Sequence, residues 1–121
     1  MTTTVLVVED TISERELISR YLRQSGYAVM NAASGKEALD KAISLKPNVI
    51  ITDVVMPGMS GFELCRSLKN HPATAAIPVI LCTSKNQQLD RLWGVKQGAD
   101  AYITKPFTRE QLLRAVESMV I

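Results

Sequence analysis

Histidine and cysteine are scarce in this sequence, which has one histidine and only two cysteines, Cys65 and Cys82. Their positions do not give the paired spacing of a zinc site, and two separate cysteines are too few for a disulfide-stabilised secreted domain. We therefore interpret both as reduced core residues. The cysteine positions thus give no indication of a thiolate metal site.

Long apolar runs and a strong charge imbalance are also lacking. No stretch approaches the ~20 apolar residues of a transmembrane helix, and the first residues resemble no signal peptide. The formal net charge of +2 is too small to favour nucleic acid or a membrane surface as a partner. The sequence thus predicts a cytoplasmic protein with no direct nucleic-acid or membrane partner.

The sequence does contain short apolar runs that alternate with helical patterns. Its 121 residues, 46% of them hydrophobic, are enough for one domain with a core. The patterns predict strands at residues 4–8, 27–30, 49–52, 78–82 and 101–103, and helices at residues 12–25, 34–46, 61–70, 88–97 and 108–120. Because strands that are apolar throughout are buried on both faces, we expect a doubly wound α/β fold with a five-stranded parallel sheet and five helices.

Capping-box patterns support the predicted helix starts, because each stands just before a predicted helix. The five pairs are Thr11 with Glu14, Ser34 with Glu37, Ser60 with Glu63, Ser84 with Gln87, and Thr108 with Gln111. Each motif is short enough to arise by chance. Five of them in the right places favour the assignment.

Polar side chains follow four of the predicted strands. They are Glu9 and Asp10 after the first strand, Asp53 after the third, Thr83 and Ser84 after the fourth, and Lys105 after the fifth. The carboxyl ends of parallel strands share one edge of the sheet, where open α/β folds bind their ligands. We therefore expect three carboxylates, two hydroxyls and one ammonium to converge there.

Such a convergence indicates phosphate chemistry. Three neighbouring carboxylates repel one another unless a cation intervenes, and an all-oxygen ligand set suits Mg²⁺. Lys105 is suited to a phosphate or a carboxylate, and Thr83 can bond a phosphoryl oxygen. The set fits phosphoryl transfer onto Asp53.

Each residue alone also has a simpler interpretation. Asp53 is a common turn residue type, Asp10 can cap a helix, and Lys105 can form a plain surface ion pair. We interpret His71 as a solvated loop residue and Trp93 as a packing residue. The combination at one edge of the sheet is what favours the phosphoryl-transfer hypothesis.

In these residues the sequence resembles the receiver domains of response regulators, of the single-domain CheY type. The matching positions are Glu9-Asp10, Asp53 with Met56-Pro57-Gly58 and Gly61 after it, Thr83-Ser84, and Lys105-Pro106-Phe107. They span essentially the whole chain, so the resemblance implies that residues 1–121 form one receiver domain. It also implies a flavodoxin/CheY-like fold with strand order 2-1-3-4-5.

The resemblance implies a phosphoacceptor and a metal site. Asp53 would accept a phosphoryl group from the phosphohistidine of a partner histidine kinase. Mg²⁺ would be held by Asp10 and Asp53, by Glu9 mainly through water, and by the backbone carbonyl of Val55. Weak self-phosphorylation from small phosphodonors and self-dephosphorylation would be the only turnover, so we expect a signalling protein and not an enzyme.

The resemblance also implies a switch. Thr83, Ser84 and Lys105 would contact the phosphoryl group, with the peptide bond between Lys105 and Pro106 in the cis form. Thr83 and Tyr102 would respond by moving, and the face of the fourth helix, fifth strand and last helix would change. That face would bind a downstream protein, with the regulator itself a monomer.

Some positions depart from the family pattern. Val55 and Lys85 take the places of residues that line the phosphoryl site, and neither can easily orient an attacking water, which puts the rate of self-dephosphorylation in question. Trp93-Gly94 and Gln97-Gly98 resemble the PilH-type regulators of twitching motility more than CheY, which favours a role in motility or chemotaxis-type signalling.

Three other classes compete with a free-standing phosphorylated receiver. An aspartate-nucleophile phosphatase carries Asp-x-Asp, and Val55 stands where the second acid would be. A flavodoxin-like flavin carrier needs a hydroxyl- and glycine-rich phosphate loop, whereas Glu9 and Asp10 would repel phosphate after the first strand. A degenerate receiver used only for binding would not need the intact acids. The chain can also be a receiver fragment of a larger regulator.

Overall fold

The computed structural model describes residues 2–120, in which strands and helices alternate strictly. The strands are β1 (Thr4–Val8), β2 (Ala28–Ala32), β3 (Val49–Thr52), β4 (Val79–Thr83) and β5 (Ala101–Thr104). The helices are α1 (Ile12–Gln24), α2 (Gly35–Leu45), α3 (Gly61–Asn70), α4 (Gln88–Lys96) and α5 (Arg109–Met119). All strands pair in parallel, in the order β2-β1-β3-β4-β5. The predicted fold class and strand order are confirmed.

The sheet has a separate hydrophobic core on each face, because neighbouring residues of a strand point to opposite sides. Leu6 and Ile50 belong to the core that α2 and α3 cover, whereas Val5 and Ile51 belong to the core under α1 and α5. All four side chains are essentially inaccessible to solvent. This two-sided burial explains why the strands read as continuous apolar runs.

Three of the five predicted caps form and two do not. Ser34, Ser60 and Thr108 each accept a hydrogen bond from the backbone three residues later. Thr11 precedes α1 but makes no side-chain cap. Ser84 is not a cap at all, because the chain continues as a loop after β4 and α4 starts only after Gln87, whose N–H donates to the carboxylate of Asp90.

Strand ends differ from the prediction where polar residues continue the ladder. The apolar pattern predicts β2 at 27–30, but β2 pairs with β1 from Ala28 to Ala32. Asn31 can lie in the strand because its side-chain oxygen accepts a hydrogen bond from Ser19. β4 and β5 likewise continue to Thr83 and Thr104, which pair with each other. Apolar pattern alone stops too early at such positions.

Two single residues were wrongly interpreted. Trp93 is 50% exposed, since α4 approaches the sheet through Gly94, its only buried residue. His71 is half-buried, and its Nδ1 accepts a hydrogen bond from the N–H of Ala73, so it shapes the turn after α3. Among residues 2–120, no helix combines the length and apolar character needed to span a membrane.

Candidate functional site

Three carboxylates meet at the carboxyl edge of the sheet, as the strand order requires. Glu9 and Asp10 follow β1, Asp53 follows the neighbouring β3, and ligand oxygens of all three lie within 4.8 Å of one another. Glu9 is 1% exposed and Asp53 is 9% exposed, whereas Asp10 is exposed. The predicted convergence of acids is therefore present, with one acid facing solvent.

The backbone around Asp53 fixes its carboxylate. The N–H of Asp53 donates to the carbonyl of Val8 at 3.1 Å, which holds β3 against β1. One carboxylate oxygen, Oδ1, accepts a hydrogen bond of 2.7 Å from the N–H of Val54. The other oxygen, Oδ2, is the one nearer to Lys105.

Gly61 lets the start of α3 approach this segment closely. Its N–H donates to the carbonyl of Val54 at 2.8 Å. A Cβ at position 61 would lie 2.0 Å from the carbonyl oxygen of Asp53, which is well inside van der Waals contact. A glycine is therefore required by the packing of α3 against the Asp53 loop.

Lys105 places one ammonium group among the carboxylates. Its Nζ lies 2.9 Å from Glu9 Oε2, 3.1 Å from Glu14 Oε1 and 3.6 Å from Asp53 Oδ2. The N–H of Lys105 donates to the carbonyl of Thr83 at 2.8 Å, which anchors the loop beside β4. The peptide bond between Lys105 and Pro106 is cis, as the family resemblance implied.

Glu14 is a member of this cluster that the sequence interpretation missed as a site residue. The sequence pattern predicts for Glu14 only the role of capping-box partner at the start of α1. The signal that could have found it is its place in the first turn of α1, the helix that starts shortly after Glu9 and Asp10. In the structure its carboxylate competes with Glu9 and Asp53 for the ammonium of Lys105.

The electrostatics of the cluster leave an excess of negative charge. Burial raises the pKa of Glu9 more than its hydrogen bond with Lys105 lowers it, and the charge of Asp53 raises it further. Burial alone would lower the pKa of Lys105, but the hydrogen bond to Glu9 and the charge of Asp53 outweigh burial and raise it. Lys105 is thus a fixed cation, and it cannot neutralise all the neighbouring carboxylates.

The donor set suits a hard divalent cation. Glu9, Asp10 and Asp53 offer only carboxylate oxygens, close enough together for one ion, and such oxygens are the ligands that Mg²⁺ prefers. The excess negative charge favours a cation at the same place. The residues present therefore fit a magnesium site, while the carbonyl of Val55 stays a prediction.

Thr83 and Tyr102 meet the same loop from two sides. Thr83 ends β4, is fully buried, and its Oγ1 accepts a hydrogen bond of 3.4 Å from the N–H of Lys85. The hydroxyl of Tyr102 donates to the carbonyl of Lys85. The guanidinium of Arg91 lies over the Tyr102 ring, 5.0 Å from its centre. Tyr102 is therefore tied to the loop that begins beside Thr83.

A mainly apolar cavity of about 420 Å³ borders the acids. Asp53, Ser84 and Lys105 form its polar end, and residues of α1 and of the loop before α5 form the rest. Ser84, which lines the cavity, is exposed, and so is the next residue, Lys85, which does not line it. A ligand group that approaches Asp53 from this side thus meets the charged groups of Glu14 and Lys105 as well as apolar side chains.

Comparison with known proteins agrees with this geometry. The model of the response regulator receiver domain matches residues 5–117. Protein PilH of Pseudomonas aeruginosa is 38% identical over 116 residues, which cover 96% of each chain. The phosphate regulon transcriptional regulatory protein PhoB of the same organism is 36% identical over 97% of this chain, which spans only 51% of PhoB.

A solved structure shares the whole fold. The chemotaxis protein CheY4 of Vibrio cholerae matches with a TM-score of 0.94 and 35% sequence identity, covering 99% of this chain and all of CheY4. The family match runs from Val5 in β1 to Glu117 in α5 and so includes all five strands and all five helices, apart from the outer ends of these two. By family model, by similarity to PilH and by fold, this chain belongs to the response-regulator receiver domains and is CheY-like.

Proposed function

We propose that this receiver domain is a phosphorelay protein that accepts a phosphoryl group on Asp53 from a histidine kinase. The observation that carries the proposal is the cluster at the edge of the sheet, where Asp53 Oδ2 lies 3.6 Å from Lys105 and close to two further carboxylates. The receiver family is distinct from the dehalogenase-type phosphatases and from the flavodoxins, so the match over residues 5–117 already disfavours both alternatives. Val55 stands where a phosphatase would need its second acid, and the acids after β1 would repel the phosphate of a flavin.

The transfer is a displacement at phosphorus. A carboxylate oxygen of Asp53 forms an O–P bond while the N–P bond of the kinase phosphohistidine breaks, and its electron pair returns to the imidazole nitrogen. Lys105 would pair with the incoming phosphoryl oxygens, and the hydroxyls of Thr83 and Ser84 would bond to them as well. The product is an aspartyl phosphate on Asp53.

The same carboxylates would hold Mg²⁺. Asp10 and Asp53 would bind it directly and Glu9 mainly through water, with the carbonyl of Val55 as a further ligand. Bound Mg²⁺ supplies positive charge that offsets the charge of the phosphoryl oxygens. Without it, Lys105 alone would have to balance three carboxylates and a phosphate, which a single ammonium cannot do.

The proposed output is a change at the α4-β5-α5 face. A phosphoryl group on Asp53 would draw the hydroxyl of Thr83 towards it, and Thr83 shares the loop at Lys85 with the Tyr102 hydroxyl. Tyr102 would then leave the Lys85 carbonyl and turn inward. Such a two-state element needs several kcal/mol of differential stabilisation for a full shift, which a charged group buried beside Lys105 can provide.

Similarity to known proteins supports a proposal for the pathway and the partners of this domain. PilH and CheY4 favour a role in motility or chemotaxis-type signalling, with a histidine kinase as donor and a downstream protein as target. We infer a cytoplasmic monomer without direct nucleic-acid or membrane binding. The match to half of PhoB supports the alternative that residues 1–121 form the receiver domain of a larger regulator, with the same chemistry.

The direct test is intact mass after incubation with acetyl phosphate and Mg²⁺. We expect the mass of one added phosphoryl group in the parent protein and none in Asp53→Asn. Asp40→Asn, a matched change at an exposed position of α2, should label like the parent. An unchanged parent mass, under conditions that label CheY4, would reject Asp53 as the phosphoacceptor.

A further inference from the structure

Helix α4 exposes apolar side chains that the core does not use. Leu89 is 75% exposed, Trp93 is 50% exposed, and Leu92 and Val95 are also exposed. Scattered exposed apolar residues are ordinary, but several on one nine-residue helix make a patch of the kind that marks interaction sites. The site around Asp53 leaves this patch unexplained.

Trp93 lies in a groove between α3 and α4, which we call the α3–α4 groove. It has a volume of about 580 Å³, and its walls include Arg66, Lys69, Trp93, Lys96 and Gly98. Leu89 precedes Trp93 by one helical turn, so both side chains lie on the same side of α4. Arg91, by contrast, lies over Tyr102 on β5. The groove is therefore on the opposite flank of α4 from the proposed output face.

Hydrogen bonds hold the walls of the groove in place. The thiol of Cys65 in α3 donates to the carbonyl of Gln97 at 3.4 Å. Lys69 Nζ donates to Asp100 at 2.9 Å and to the carbonyl of Ile77 at 2.8 Å. A partner would thus meet a preformed groove, so little affinity would be lost in ordering it.

The rim of the groove is positively charged. Lys69 is neutralised by Asp100. Arg66 and Lys96 are exposed, and neither has a carboxylate oxygen within 4.0 Å in residues 2–120. Lys96 also complements the dipole at the end of α4, but Arg66, in the middle of α3, has no such local role. A groove lined by an indole and by these two cations complements an acidic ligand with an apolar group.

We propose that the α3–α4 groove binds an acidic protein segment, with an apolar side chain of that segment on Trp93 and carboxylates on Arg66 and Lys96. Tryptophan and arginine are the residue types that contribute most at protein interfaces. A nucleic acid is disfavoured because two free cations would neutralise too few phosphates for stable binding. The proposal does not depend on phosphorylation of Asp53.

The experiment uses a 12-residue peptide in which glutamates flank a central Leu-Phe pair. Trp93 is the only tryptophan, so its fluorescence reports binding in the groove directly. We expect a saturable change with the acidic peptide, and none with an otherwise identical peptide that has serines in place of Leu-Phe. Arg66→Gln with Lys96→Gln should weaken binding at least tenfold.

The matched control is Arg20→Gln with Arg23→Gln, which removes the same charge from exposed positions of α1. This control and Asp53→Asn should bind the peptide like the parent, so a failure of the proposed phosphoacceptor role would leave the result intact. Calorimetry with Trp93→Ala should show at least tenfold weaker binding. Three results would each overturn the proposal. They are equal weakening by the groove pair of substitutions and by the α1 pair, equal affinity for a single-stranded 12-mer DNA, and no binding at millimolar peptide.

Discussion

At the scale of single residues, Lys105 organises the site because it is the cation that several acids share. Its ammonium is closer to Glu9 and Glu14 than to Asp53. The carboxylate of Glu14 is partly exposed and lies at the start of α1, so it can be removed without opening the core. The strength of the contact between Lys105 and Asp53 thus depends on a residue outside the family motif.

Glu14→Gln should therefore speed phosphorylation of Asp53. Loss of one competing charge leaves Lys105 freer to pair with the phosphoryl group and lowers the repulsion that an anionic phosphodonor meets. We expect the initial rate of phosphorylation by acetyl phosphate, measured by intact mass, to rise a few-fold. Glu16→Gln, at an exposed position of α1, should stay within error of the parent, and the same gain in both variants would point to net charge alone.

Asp10 has a different role, because it is the exposed member of the acid cluster. Asp10→Asn should weaken Mg²⁺ binding at least tenfold, since the proposed direct ligand loses its charge. It should also stabilise the metal-free protein by about 1 kcal/mol, because repulsion at a separation of ~4 Å in water has that size. Urea unfolding with and without Mg²⁺ measures both effects. Equal Mg²⁺ stabilisation in mutant and parent would remove Asp10 from the ligands.

At the scale of helices and strands, the start of α3 is fitted against the Asp53 loop through Gly61. Gly61→Ala should destabilise the protein by about 3 kcal/mol or more, because its Cβ would meet backbone atoms that cannot move aside independently. Thermal or urea unfolding gives the measurement, with Ser67→Ala in the same helix as the control. A loss below ~0.5 kcal/mol would mean that α3 can shift away from the loop without cost.

The elements also show how far the sequence alone could go. Continuous apolar runs predicted the five strands, and the polar residues after them predicted the acid cluster. Strand order, however, came from the family resemblance and not from pattern. The prediction that Ser84 caps α4 was wrong, because the same short sequence motif occurs both in loops and at helix starts. The prediction that Trp93 packs in the core was wrong. The exposure of its side chain depends on how Gly94 brings α4 close to the sheet, which the sequence pattern does not show.

At the scale of the whole molecule, the proposed output face and the α3–α4 groove lie on different sides of α4. The acid cluster lies at the carboxyl edge of the sheet, and Tyr102 connects the loop after β4 with the α4-β5-α5 face. The α3–α4 groove is held by its own hydrogen bonds through Cys65 and Lys69. We therefore expect the first surface to respond to phosphorylation of Asp53 more strongly than the second.

The switch itself is tested by amide NMR spectra recorded with and without beryllofluoride and Mg²⁺, a stable mimic of the phosphorylated state. We expect chemical-shift changes around Asp53, along β4 to Thr83, and on across residues 88–102, because Thr83 and Tyr102 both bond to Lys85. Tyr102→Phe, which lacks the hydroxyl that donates to Lys85, should already resemble the mimic-bound state in part before beryllofluoride is added. Glu117, exposed on the far end of α5, should keep its shift. Changes confined to the immediate neighbours of Asp53 would reject the switch and leave only a phosphate-binding site.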